Sequence, residues 1–157
     1  MNKATFINFI NLEYPDGFKE LSDIENKKYF SGDMIRLSFH NEEKHILLSL
    51  SKSKYSFMNN FINARNIANG AITNLRNNLK DFSFVEEYKS KILEQDAVTE
   101  CFSYMANDQD IKQYAEMSVF KVKKQFYVVY CLCRDNSKEE HKKIFKEFRE
   151  SFTAINS

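Results

Sequence analysis

Three histidines and three cysteines are the side chains of this 157-residue chain with most chemistry to offer. His40 and His45 flank Asn41-Glu42-Glu43-Lys44, a polar break between two alternating apolar runs, so a hairpin there would bring two imidazoles together at its end. Two imidazoles are not a zinc site, because a catalytic zinc takes three protein ligands and the sequence supplies no third beside them. His141 falls on the apolar stripe of a predicted helix, in its first turn, which predicts a packed or capping residue over a general base. Cys131 and Cys133 stand two apart on a predicted strand, facing the same way with Cα atoms about 6.6 Å apart, a poor geometry for a disulfide. Cys101 is expected across the same sheet. With an odd count and no CxxC pair, the three are expected to be free thiols packed as small hydrophobes in a reducing compartment. No Gly-rich phosphate loop, HExxH, GxSxG or paired-carboxylate motif occurs. No catalytic, metal-ligating or cofactor-binding residue is therefore assigned, and no cofactor.

The elements that would position these residues are legible in the periodicity. DAVTECFSYMA, IKQYAEMSVFKV and QFYVVYCLCRD, between Asp96 and Asp135, read as three successive long strands broken at Asn107-Asp108-Gln109-Asp110 and at Lys123-Lys124. Their faces are apolar on both sides: Phe126, Val128, Tyr130 and Leu132 oppose Tyr127, Val129, Cys131 and Cys133, while Ala115, Met117 and Val119 oppose Tyr114, Phe120 and Val122. Both faces need cover.

Upstream, Ala4 to Glu13 is apolar enough for one strand, although its asparagines fall on both faces, and Tyr14-Pro15-Asp16-Gly17 predicts the turn that ends it. Ser22 and Glu25 have capping-box spacing for a short helix to about Phe30, stopped by Ser31-Gly32. Met34 to His40 and His45 to Leu50 alternate as the hairpin pair, with Ile35, Leu37, Phe39 and then Ile46, Leu48, Leu50 inward. Phe57, Phe61, Ala64, Ala68, Ala71, Leu75 and Leu79 form one stripe at helical spacing, predicting a single helix over 57–79, about 35 Å long. Gly70 lies within it, with close packing as the expected reason. Phe84 to Ile92 fits a helix by composition and a strand by position; the strand is preferred. Ser137 and Glu140 predict a second capping box, opening a helix over 138–154 with His141, Ile144, Phe145, Phe148, Phe152 and Ile155 inward. Two helices for two faces predict an α+β fold, a three-layer α/β/α sandwich around an antiparallel sheet of six or seven strands, as one domain over residues 1–157.

Composition narrows the function. Lys plus Arg (23) balances Asp plus Glu (22), so no overall field draws the chain to nucleic acid or anionic lipid. Glu13, Asp16, Glu20, Asp23 and Glu25 crowd the early segment, and Lys121, Lys123, Lys124, Lys142, Lys143 and Lys146 gather late. That asymmetry predicts solvated surface, with a steering patch as the functional alternative. The N-terminus lacks the continuous apolar core of a signal peptide and no segment approaches a membrane-spanning length, so the expected localisation is cytoplasmic.

The order of these elements resembles the PsbP/DcrB-like superfamily. The resemblance rests on a first strand leading into Y-P-D-G-F with Pro15 and Gly17, a hairpin ending in HILLSLS, a long helix, an antiparallel meander, and IFKEFRESF with Phe145, Phe148, Ser151 and Phe152. It spans nearly the whole chain and is nearest to cytoplasmic bacterial members, lacking the export signal and lipid-attachment cysteine of secreted ones. It implies non-catalytic roles as assembly factor, extrinsic subunit, small-GTPase partner or effector chaperone. No branch motif is present, so no residue role carries over.

The expected function is thus a non-catalytic cytoplasmic protein-binding, adaptor or chaperone-like module rather than an enzyme. Its expected partner is another protein; nucleic acid and membrane insertion are not expected, and a homo-oligomer stands as a further reading. The alternative is a small-ligand or metal-binding sensor or enzyme using the His40/His45 hairpin end or the Cys101/Cys131/Cys133 face.

Overall fold

The computed structural model describes residues 1–32, 34–106 and 110–155. The predicted strand at 4–13 is a hairpin, β1 (Asn2–Phe6) and β2 (Ile10–Tyr14), reversing through Ile7 and Asn8 at φ 48° and 55°. The reversal explains why the asparagines broke a single alternation. Gly17 then turns the chain at φ +88°, where a Cβ would meet Asn41 Nδ2 at 3.2 Å. A two-residue strand, β3 (Lys19–Glu20), leads to α1 (Asp23–Tyr29). The capping box forms as predicted: Ser22 Oγ accepts from the Glu25 amide and Glu25 Oε1 from the Ser22 amide.

β4 (Ile35–Asn41) and β5 (Ile46–Lys52) make the expected hairpin. Phe39, Ile46, Leu48 and Leu50 are buried, but Ile35 stays exposed at the strand's end, and β5 is also buried on its second face at Leu47, Ser49 and Ser51. The predicted helix over 57–79 is two pieces. A single 3₁₀ turn, Phe57–Asn60, is capped by Ser56, and α2 (Ala64–Asn78) starts afresh. Asn63 is the reason: its Oδ1 accepts from the Asn66 amide while Asn66 Oδ1 accepts from the Asn63 amide, a side-chain alternative to helical bonding. At 15 residues α2 is about 22 Å long. Ala64, Ala68, Ala71, Leu75 and Leu79 still face the sheet, whereas Phe57 and Phe61 do not. A Cβ at Gly70 would meet nothing within 4 Å, so close packing does not explain that glycine.

The chain then runs straight into β6 (Lys80–Ile92), β7 (Gln95–Met105), β8 (Lys112–Val122) and β9 (Gln125–Arg134). β6 contains the strand preferred at 84–92 and begins earlier. Lys123 and Lys124 turn the last hairpin at φ 48° and 69° without a glycine. Of the break predicted at Asn107-Asp108-Gln109-Asp110, residues 107–109 lie outside the described residues and Asp110 is exposed and outside both strands. α3 (Lys138–Glu150) follows and ends before the predicted 154; β10 (Thr153–Ala154) takes the last residues back to β2. Its predicted capping box is not made. Ser137 sits in a 3₁₀ turn at ψ 12°, where Ser22 is extended at ψ 168°, and its hydroxyl donates to the Arg134 carbonyl instead.

The seven-stranded antiparallel sheet has the order β3-β4-β5-β9-β8-β7-β6. Both faces of the meander are covered as expected. α2 packs over Val98, Phe102, Ala115, Met117 and Val119. The opposite layer is α3 together with the small sheet β1-β2-β10: Phe145 and Phe148, with Ile10 and Leu12, close over Phe39, Leu48, Phe120 and Val129.

Candidate functional site

The hairpin register separates the two histidines expected to be neighbours. His40 pairs with Leu47 and Asn41 with Ile46, leaving His45 in the turn at φ 55°. His40 leans on the Tyr29 ring at 5.6 Å and lines a cleft with Gly17, Leu21 and Glu25; partial burial pushes its pKa down. His45 instead lines an open cleft of about 430 Å³ with His141, Lys44, Arg134 and Glu140. His141 is buried, as its place on the stripe predicted, with a pKa lowered by burial, and its Nδ1 has no hydrogen-bond partner. Among the described residues no three of His, Cys, Asp and Glu are grouped to hold a metal ion.

All three cysteines are free and buried on the α3 face. Burial pushes Cys101 and Cys133 up to about 12 and raises Cys131 as well, so none is a thiolate at neutral pH. Cys101 and Cys131 are two strands apart, with Glu116 between them in the cross-strand row.

That glutamate belongs to a cluster with no linear motif. Arg149 Nη1 donates to Glu116 Oε1 at 2.7 Å and Nη2 to the Tyr88 hydroxyl at 2.6 Å; the Tyr114 hydroxyl donates to Glu116 Oε2 at 2.7 Å. Burial, and then the Glu116 charge, raises the Tyr114 pKa, keeping that hydroxyl a donor. With both carboxylate oxygens engaged, Glu116 anchors α3 to the sheet and is not free to act as a base. The signals were present: a Glu inside the apolar run YAEMSVF, and an Arg one residue past Phe148 on an apolar helix face.

A paired-carboxylate arrangement, absent as a motif, is assembled on the other face. Glu100 on β7 lies directly opposite Glu87 on β6, and Arg65 at the start of α2 reaches Glu87 at 2.6 Å. Glu100 is buried; burial and the facing Glu87 push its carboxyl up to about 8, while hydrogen bonds from Glu100 and Arg65 hold Glu87 below the usual range. Of the two, Glu100 is the carboxyl that holds its proton to higher pH.

The late lysines do not gather into one patch. Lys142, Lys143 and Lys146 pair along α3 with Glu139, Glu147 and Glu150. Lys121 donates to the carbonyls of Asn59 and Ile62, beside the 3₁₀ turn. Of the early acids, Asp16 meets the N-terminal ammonium and Glu25 caps α1.

Two apolar surfaces remain that sequence reasoning had placed in the core or left unassigned. One is the segment 55–61, where Tyr55, Phe57, Met58 and Phe61 are exposed. The other is a strip of partly exposed side chains on the α2 face. Val128, Tyr130 and Leu132, on the central strand β9, are only half-buried between the side chains of α2 and Phe30, which meets Tyr130 edge-on at 5.8 Å and lies under the Arg36 guanidinium at 3.6 Å.

This architecture is the PsbP/Mog1/DcrB-like fold. The chain is similar to cyanobacterial PsbP (CyanoP) from Synechocystis sp. PCC 6803, at TM-score 0.68 and 12% identity over 98% of this chain and 92% of that one. It is similar to the Ran-binding protein Mog1p of Saccharomyces cerevisiae, at TM-score 0.61 and 10% identity over 94% and 90%. A third likeness is PA94 from Pseudomonas aeruginosa, a protein of unknown function, at TM-score 0.62 and 10% identity over 100% and 99%. No protein-family description and no curated protein matches the sequence.

Proposed function

We infer that the chain is a non-catalytic protein-binding module, an adaptor or chaperone-like domain working in the cytoplasm. The observation that carries this reading is the strip along β9: three apolar side chains at the centre of a seven-stranded sheet are left half-buried while their neighbours on β5 and β8 are sealed. A segment of a protein partner laid along this strip would complete that burial, at about 25 cal/mol per Å² of apolar surface removed from water. Sharing a fold with the Ran-binding protein Mog1p supports the class of partner, though not its identity. The test is a photo-crosslinking amino acid at Leu132, with one at exposed Lys143 as control. A discrete protein joined at Leu132 and not at Lys143, whose purified form binds the chain but not Leu132→Asp, supports the reading. Equal labelling at both sites counts against it.

A small-ligand reading is favoured by one observation, the unpartnered Nδ1 of buried His141 beside the cleft that His45 lines. It moves the candidate pocket from His40/His45 to His45/His141. A large thermal shift from one metabolite, lost in His45→Ala, would select it.

A further inference from the structure

Residues 53–62 carry four large apolar side chains into solvent at the end of the sheet where β5 finishes: Tyr55 is 53% exposed, Phe57 69%, Met58 56% and Phe61 69%. Contiguous apolar surface of this kind, rimmed by polar groups, marks an interaction site, where single exposed hydrophobes do not. The segment is held in place. The Ser53 amide donates to the Phe126 carbonyl, buried Asn59 donates through Nδ2 to the Lys124 carbonyl at 2.8 Å, and Lys121 Nζ donates to the carbonyls of Asn59 and Ile62. The Phe57 and Phe61 rings meet edge-on at 5.3 Å.

These bonds fix the apolar projection beside the β8–β9 tip, where Lys123 and Lys124 are exposed and, among the described residues, in no ion pair. Two of the segments that meet here carry no carboxylate, since no Asp or Glu occurs between Glu43 and Asp81, or between Glu116 and Asp135; Asp33, just before the start of β4, lies outside the described residues. The neighbouring β6–β7 tip adds one, Glu94, and the nearby Asp96 is paired with Lys91. Net charge near zero for the whole chain therefore coexists with two exposed lysines, Lys123 and Lys124, set beside the exposed apolar side chains at this end.

We propose that this end is a docking surface for an anionic lipid bilayer. Phe57, Met58 and Phe61 sink to the level of the headgroups, Tyr55 lies at the interface, and Lys123 and Lys124 meet lipid phosphates. Size separates this occupant from a protein. A large apolar side chain wholly enclosed buries roughly 150–250 Å², and these four are 53–69% exposed, so together they offer about 350–650 Å², less than the roughly 800 Å² per partner of a specific protein complex. Rings that are 69% exposed project from the surface and do not line a cleft, and a fluid bilayer needs no complementary shape.

The test is co-sedimentation of the full chain with vesicles of phosphatidylcholine, with and without phosphatidylglycerol. Binding is expected only to the anionic vesicles and is expected to weaken with salt. Phe57→Ser and Phe61→Ser are each expected to weaken it about tenfold or more, and Lys123→Glu with Lys124→Glu to abolish it. All four side chains are exposed, so unchanged melting curves will show that the variants fold. Failure of the wild type to bind anionic vesicles overturns the proposal. So does equal binding to neutral vesicles, or a wild-type affinity in the Phe57→Ser/Phe61→Ser double variant. Loss of an identified protein partner in these variants, with vesicles ignored, reassigns the surface to protein and overturns it too.

Discussion

Arg149 on α3 holds Glu116 on β8 at 2.7 Å, with both side chains almost entirely out of water. Desolvating two charges is costly, so the pair's attraction is largely offset by burial. The consequence of breaking it is lopsided. Arg149→Met leaves a carboxylate buried without its cation and is expected to cost about 3–5 kcal/mol, measured by urea unfolding. Adding Glu116→Leu removes the stranded charge and should recover part of that loss. A double variant no more stable than Arg149→Met would show that the pair is not what the single change disrupts.

The Glu87/Glu100 pair predicts a pH dependence of defined sign. The Glu100 carboxyl titrates near 4.5 when exposed and at about 8 when folded, so between those values the unfolded chain has released a proton that the folded chain keeps. Stability therefore falls as pH rises through this window, and levels off above it. In Glu100→Gln the fall should be shallower, read from denaturant midpoints across that range. Glu87, held low, acts with the opposite sign: its contribution is lost only as pH drops below the ordinary carboxylate range.

Asn63→Ala discriminates between the predicted helix over 57–79 and the two pieces observed. Within one continuous helix alanine is the better helix former and stability would rise. As the cap of α2, Asn63 satisfies the Asn66 amide, and its loss is expected to cost about 0.5–2 kcal/mol. The sign of the change in melting temperature is the result that matters.

Gly70→Ala is expected to stabilise the protein by up to about 1 kcal/mol. The glycine lies inside α2, its φ is not positive, and a Cβ there meets nothing. A thermal melt showing destabilisation would mean that the new methyl group does meet a neighbour.

Much of the fold was readable because it depends on neighbours in sequence. Alternation of period two along β7, β8 and β9 assigned both faces of the meander, and the Ser22/Glu25 box and the Pro15-Gly17 turn act over three or four residues. The same reasoning failed where local chemistry has two outcomes. Ser137/Glu140 has the spacing of Ser22/Glu25, yet the turn leaving β9 sets its backbone to the wrong ψ for a cap. Phe57 and Phe61 continue the apolar stripe of α2, but asparagine capping starts that helix after them.

By itself the sequence determined which segments extend, which coil, and that the sheet would need cover on both faces, since these follow from backbone periodicity and side-chain volume. Only the tertiary structure decided which distant groups meet. Register places Glu100 opposite Glu87, separates His40 from His45, and threads Glu116 between two cysteines; the docking of α3 brings Arg149 to that glutamate and His141 to His45. Those partners lie far apart along the chain, and their pairing follows from strand order and helix placement, which no local pattern encodes.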